Sequence, residues 1–600
     1  MDERELRGWI DRVRDGAISR RQFTRMMVGL GLTAPMAGQV LASVGLGGVA
    51  HAQGRGYAPT KRGGGGQVRV LWWQAPTLLN PHFATGTKDE DGSRIFYEPL
   101  ASFDPDGNLI PVLAAEAPTL QNGGVSKDGT SVTWKLKRNV QWHDGTPFTA
   151  DDVVFNWEYT VDPATATVKS GNYKDIARID KLDSHTVKIV FKDSTPFWAT
   201  SFCGPNGMII PKHVFEPFKG AKSREAPANL KPVGTGPYRI VDFKPGDSIR
   251  AGLNPNYHMP NRPFFDQLEL KGGGDAVSAA RAVIQTGEYD YAWNIQVEDD
   301  ILRRMEQGGK GRADIAVGGN IEHIQCNFTD PWKEVDGERS SVKTTHPFLT
   351  DPAVRSALNL LVDRASVQEQ LYGRAGITTA NFLNSPSKFQ SKNLKWAFDV
   401  DRANKVLDDA GWKRGADGIR TKDGKKLKMV FQTSINPVRQ KTQAIIKQAC
   451  AKAGIELEIK SVVASVYFAS DPANWDTYPH FGTDIQMYTT TMTQPDPQRF
   501  MDQFTSSEVA SKENKWQGRN ITRWRNEEYD RLWKGAEAEM DPVKRAAMFI
   551  KMNDLVIQNV VVIPVTWRPR LATVSNKLKN AEQSGWDSDF WNLPNWYREA

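Results

Sequence analysis

The sequence predicts a mixed α/β protein, on three observations: runs of period-two hydrophobicity, helices bounded by capping residues, and strand–helix–strand order in the second half. Val68 to Trp72 reads as a first buried strand. In Ser131 to Lys137, Val132, Trp134 and Leu136 point one way and Thr133, Lys135 and Lys137 the other, a half-buried strand. Thr186 to Phe191 repeats the pattern with Val187, Ile189 and Phe191. Between these strands Asp144-Gly145 marks a tight turn. Thr149 is an N-cap with Asp152 three residues on, and Val153, Val154 and Trp157 form the apolar helix face. Asp351 caps a second helix with Pro352 at its first position. Asp401 starts a third, stopped by Gly411. A strand through Leu427, Met429 and Phe431, a helix over 442–453 stopped by Gly454, and a strand through Ile455, Leu457 and Ile459 imply a parallel pair with a right-handed crossover. A helix over 542–559 and the apolar run Val560 to Val565 close the pattern.

The chain has 600 residues, too many for one core, which implies two or three domains. Its net charge of +7 is scattered, with no basic run dense enough for a nucleic-acid arm. The three cysteines, Cys203, Cys326 and Cys450, are far apart and form no CxxC pair, so at most one disulfide is expected. The 19 tryptophans are core candidates first and pocket walls second.

Residues 1–52 read as an export signal. Ser19-Arg20-Arg21-Gln22-Phe23 is a twin-arginine type of start; a weakly apolar stretch from Met26 to Val49 follows; Ala50-His51-Ala52 is a small-x-small cleavage site. Pro35 and several glycines make the stretch a poor transmembrane helix. No cysteine stands near the cleavage site to carry a lipid. Residues 53–66, glycine-rich, are expected to be a flexible lead-in.

Catalytic signatures are missing. There is neither a GxSxG elbow nor an HExxH helix. Gly418 to Lys426 resembles a phosphate loop only loosely; its glycine spacing is too long and Lys426 stands where a hydroxyl is needed, so a charged hairpin is expected. His143-Asp144 is explained by the turn and cap. Glu322, His323 and Cys326 are too few, at that spacing, for a metal site. No cofactor, no metal and no catalytic residue is expected.

Four segments resemble the bacterial extracellular solute-binding proteins of family 5, the dipeptide-, oligopeptide- and nickel-binding components of ABC importers. They are Ser131–Val154, Pro232–Tyr257, Asp351–Arg364 and Val561–Arg570, in family order across residues 67–570. The resemblance implies a two-lobed periplasmic-binding-protein fold (type II, the large three-subdomain form) with a hinge between the lobes. Subdomain I is expected over 67–100, 235–320 and 545–600, subdomain II over 101–234, and the second lobe over 321–544. It further implies a periplasmic monomer that captures a peptide or peptide-like solute and hands it to a membrane permease with its ATPase subunits.

From the segments that the family places at the cleft, the ligand-binding candidates are Trp72, Trp73, Trp293, Asn294, Tyr488, Thr493, Asp496 and Trp567. One of these departs from the pattern. Peptide-binding members resemble one another in an aspartate three residues before an acidic-Pro pair, which neutralises the peptide's ammonium. That pair is Asp496-Pro497 here, and the position three before it is Thr493. Asp484 or Asp496 is the expected substitute. Without the anchor, an oligosaccharide or opine-like solute competes with a peptide, and Thr489-Thr490-Thr491 offers hydroxyls for it. A hydrolase on the same scaffold is the enzyme alternative.

Overall fold

The computed structural model describes residues 58–469 and 471–599, with Arg12 in addition. The expected signal segment lies outside the described residues, apart from Arg12. Among the described residues, no helix is long and apolar enough to cross a membrane.

Three sheets organise the chain. The first has seven strands, in the order Gly311–Ala316, Arg570–Ser575, Tyr291–Ala292, Gln67–Trp72, Gln267–Gly272, Ser248–Leu253 and Tyr238–Lys244. Gln67–Trp72 lies at its centre, parallel to both neighbours, with Val70 opposite Leu270 on one side and Tyr291 on the other. A three-stranded antiparallel sheet (Ser131–Lys135, Thr186–Phe191, Ile176–Asp183) joins the same body, the first lobe. The second lobe surrounds a five-stranded sheet, ordered Glu456–Val462, Lys428–Ser434, Ile485–Thr490, Ile321–Cys326 and Val562–Trp567. Ile321–Cys326 runs antiparallel to both of its neighbours, and the other four strands share one direction.

Local chemistry accounts for the elements. The helix Ala150–Val161 opens on a complete capping box: the Thr149 side chain accepts from the helix backbone and Asp152 accepts from the Thr149 N–H. Thr149→Ala is expected to cost about 1 kcal/mol, read as a lower midpoint in urea. Asp351 caps Pro352–Leu360. The crossover helix is Pro437–Lys452, five residues earlier than its periodicity predicts, because Asn436 caps it and Pro437 takes its first turn. The next helix-start expectation also shifts slightly: Asp399, not Asp401, caps Val400–Asp409. Gly418 to Lys426 is the expected hairpin, with Asp423 and Gly424 in left-handed conformations at its tip (φ 49° and 74°). The three cysteines are free and buried.

Two expectations about the chain path need correction. The described part of the lead-in is docked, not loose. Arg62 donates to the carbonyl of Met259 at 3.2 Å, and the N–H groups of Gly64 and Gly66 donate to the two Asp266 carboxylate oxygens at 2.8 and 2.9 Å. Gly65 permits this: a Cβ there would stand 2.3 Å from the Phe264 ring. The tail also rejoins the first lobe later than residue 545. Helix Pro542–Gln558 packs on helix Glu527–Ala538, and strand Val562–Trp567 pairs with Ile321–Cys326. Both therefore belong to the second lobe, and only Arg570–Ser575 enters the first sheet. An apolar strand buried on both faces needs a sheet covered on both sides, and the five-stranded sheet supplies it.

The chain thus crosses between the lobes at 317–320 and at 568–569. The crossings touch: Arg568 N–H donates to Asn320 O at 3.2 Å, and the Trp567 indole N–H donates to Gly318 O at 2.9 Å. Gly318 also meets Gly585 backbone to backbone, with no room for a side chain on either.

Candidate ligand-binding cleft

Between the lobes lies a cavity of about 260 Å³. It reaches from the crossings outward, walled on one side by residues that follow the first strand and on the other by the edge beyond Ile485–Thr490. Hydrogen bonds span it. Asn206 donates to the Thr493 hydroxyl at 2.9 Å, Gln494 to the Thr200 hydroxyl at 3.1 Å, Arg499 to Asn172 at 2.9 Å, and Asn436 to Gln296 at 2.7 Å. The lobes are therefore closed on each other.

At the hinge end, Trp293 donates its indole N–H to Asp91 Oδ2 at 2.8 Å. The Trp293 ring is set by Trp72, which stacks on it at 4.8 Å and on Phe590 at 5.4 Å. Asp91 is held beside Asp589, whose own carboxylate accepts from Arg570 at 3.0 Å, Tyr291 at 2.7 Å and Gln583 at 2.9 Å. Burial first, and the Asp589 charge second, push the Asp91 carboxyl up to about 8, against the pull of Arg570.

The back wall is a buried ion pair. Arg439 on the crossover helix grips Glu322 with two N–H groups, at 2.7 and 3.2 Å. Thr489 also donates to Glu322, and Arg568 donates to Thr489 at 2.8 Å and to Asn294. Burial pushes Glu322 up, yet Arg439 outweighs it and holds the carboxyl below its ordinary value. Glu322 and His323 lie on opposite faces of their strand: His323 packs against Tyr488 at 4.7 Å and Phe382 at 5.2 Å. Its imidazole is pushed down to about 4 by burial.

The eight sequence candidates divide. Trp293, Asn294, Tyr488, Thr493 and Asp496 line the cavity. Trp72, Trp73 and Trp567 stand outside that lining. Trp72 is fully buried behind Trp293. Trp73 spends its N–H on the Asn294 carbonyl at 2.9 Å. Trp567 is tied to the hinge through Gly318. Asp496 lines the edge, but both its oxygens are held by Arg545. Asp484 lies away from the cavity, accepting from His346 and Trp332 at 3.0 Å each and from Val430 N–H at 2.7 Å.

Sequence reading missed much of the lining. Asp91, Arg439, Arg499, Arg519 and Trp516 reach the cavity from segments far apart in the chain. Lys515 and Trp516 both adopt left-handed backbone (φ 53° and 55°), which presents Trp516 to His480 at 4.2 Å. No local pattern marks such a turn.

Comparison with known proteins follows this geometry. The model of the bacterial extracellular solute-binding proteins, family 5 middle, matches residues 108–512. The oligopeptide-binding protein AppA of Bacillus subtilis is 28% identical over 487 residues, 80% of this chain and 81% of AppA. The glutathione-binding protein GsiB of Escherichia coli K12 is 26% identical over 390 residues, 65% of this chain and 68% of GsiB. The crystal structure of AppA with a nonapeptide superposes with a TM-score of 0.77 at 23% identity, over 90% of this chain and 100% of AppA. The fold is the two-lobed one of the periplasmic binding proteins, and the chain belongs to the bacterial extracellular solute-binding proteins of family 5.

Proposed function

We propose that this chain is the exported binding component of an ABC importer, capturing a compact peptide or peptide-like solute in the interlobe cleft. The observation that carries the reading is the cavity itself: enclosed between two lobes, lined mainly by polar groups, and spanned by hydrogen bonds from both walls. A ligand that touches both lobes favours the closed shape, which is the state a permease can recognise. The cavity volume of about 260 Å³ sits at the small end of ligand sites, which run from roughly 300 to 1,000 Å³. A compact solute suits it better than a long oligopeptide. AppA and GsiB, named for oligopeptide and glutathione binding, agree with a peptide-like ligand.

Export by the twin-arginine route, cleavage after Ala52, a monomeric mature protein and a partner ATPase complete the proposal. The Arg20-Arg21 motif and the Ala-x-Ala site support the first two. Binding chemistry suits the cleft: Glu90 is paired there with Lys169 and Asp496 with Arg545, and the thiols of Cys326 and Cys450, buried away from the cavity, are pushed up to about 12 by burial.

Native mass spectrometry of the mature protein from a periplasm tests the reading. A bound mass that fragments as a peptide or amino-acid conjugate is expected, together with a melting temperature that rises with added ligand. Release of a hydrolysis product on incubation would point to an enzyme instead.

A further inference from the structure

We propose that Asp91 anchors the primary amine of the bound solute, at the hinge end of the first lobe. The inference rests on the reading of the cleft as a site for a peptide-like solute.

Of the second-lobe carboxylates that line the cavity, Asp471 is exposed at its outer side, where it accepts from the Ala473 N–H, and the other candidates are all engaged. The Thr493 hydroxyl is engaged by Asn206, Asp496 by Arg545, and Asp484 by His346, Trp332 and Val430. The first lobe has a carboxylate with an oxygen to spare. Asp91 lines the cavity, is only 1% exposed, and accepts on Oδ2 from the Trp293 indole, with the Ser588 hydroxyl close enough to hold its pKa down. Its Oδ1 is buried without a hydrogen-bond partner. Asp589 beside it is saturated by three donors, so the deficit falls on Asp91 alone.

Two further unpartnered atoms line the same cavity: the acceptor Asn320 Oδ1 on the crossing, and the donor Gln74 Nε2 after the first strand. An ammonium supplies N–H donors of the kind such acceptors lack, and a peptide carbonyl supplies the acceptor that the Gln74 amide lacks. A buried polar atom left unpaired is costly, so these positions favour a ligand that supplies what they lack.

The charges agree. Asp91, Asp587 and Asp589 face Arg570, with Arg94 also acting on Asp587, so three carboxyls meet two guanidinium groups and one negative charge is left when all three are ionised. Glu90 on the same helix is matched by Lys169 at 3.1 Å, and Lys88 by Asp89 at 2.6 Å. One ammonium therefore neutralises the group. With the Asp91 carboxyl pushed up to about 8 by burial and Asp589, the empty cleft holds a proton at neutral pH. An arriving ammonium displaces it, so affinity is expected to rise with pH up to that value.

The probe is an equimolar library of di- and tripeptides, and the same library N-acetylated, offered to the mature protein. Native mass spectrometry identifies the bound members and titration calorimetry measures them. Free-amine members are expected to bind and acetylated ones not, with binding at least about tenfold tighter at pH 8 than at pH 6. Asp91→Asn should weaken binding at least about tenfold and flatten that pH dependence. The acetylation comparison uses the wild-type chain and stands even if the variant folds poorly. Equal binding of acetylated peptides, or unchanged affinity in Asp91→Asn, overturns the anchor and leaves the solute-binding reading intact. Binding of neither library overturns the anchor and the peptide reading together.

Discussion

Replacing Glu98 by alanine is expected to destabilise the first lobe by about 3–5 kcal/mol, because it strands buried donors around an emptied site. Glu98 is completely buried. It accepts from Tyr257 at 2.7 Å and Thr235 at 3.0 Å, and it pairs with the equally buried His258 at 3.0 Å. These partners come from the segment that returns into the first sheet, some 140 to 160 residues further along, so the carboxylate ties two distant stretches together. Burial pushes Glu98 up, but the charge and hydrogen bond of His258, with help from Arg94 and Tyr257, bring it down to about 2 from an ordinary 4.5. A carboxyl depressed on folding stabilises above its unfolded value and loses that contribution as pH falls through the folded one. The contribution is roughly 3 kcal/mol, present above pH 4.5 and lost between there and pH 2. Glu98→Gln keeps the shape and removes the charge. Thermal unfolding should show a wide gap between wild type and Glu98→Gln at pH 6 and a narrow one at pH 3. A gap of equal size at both would show that the charge is not what matters.

What could be read from the sequence follows the range of the interactions. The capping box at Thr149 and Asp152 was legible because its partners are three residues apart. The strand of Thr186–Phe191 and the parallel pair of Lys428–Ser434 with Glu456–Val462 were legible because periodicity and element order carry them. That Trp293 and Asn294 line the cavity was expected only through the family's placement of their segment, since nothing local separates them from core. Asp91 was invisible. It sits in Lys88-Asp89-Glu90-Asp91, a charged run that reads as a solvated turn, and it is buried by contact with Trp293 at a separation of 202 residues. The three outlying tryptophans lie outside the lining for a related reason: Trp73 and Trp567 adjoin the lining residues Gln74 and Arg568, and Trp72 stands one residue further back, while successive side chains on a strand point to opposite faces. The return point of the tail failed because an amphipathic helix and an apolar strand announce their type and not their sheet. The residues that line the far wall, Arg499 and Arg519 among them, depend on the docking of one lobe against the other, which no single segment encodes.

Removing Glu322 should do comparable damage to the second lobe, and should also reach the cleft. The Glu322–Arg439 pair is fully buried, at 0% and 2% side-chain exposure, and Glu322→Ala would leave the Arg439 guanidinium with two N–H groups facing no acceptor. The expected loss is about 3–5 kcal/mol, the usual consequence of an uncompensated buried charge. Arg568 compounds it, since Glu322 is the carboxylate that sustains it in the interior. The same carboxylate is also the first link of a chain that runs through Thr489 and Arg568 to Asn294. That chain joins the second sheet to the first lobe beside the hinge, so loosening it should weaken ligand binding as well as stability. A compensating variant separates the two effects. In Glu322→Ala with Arg439→Met, an apolar chain replaces the stranded charge, and most of the stability should return. The link to Thr489 stays broken, so ligand affinity should remain low. Urea unfolding of the single and double variants, together with the ligand-induced rise in melting temperature, reads both quantities. Recovery of affinity along with stability would mean that the pair serves packing alone and that the path through Thr489 to the hinge carries no part of closure.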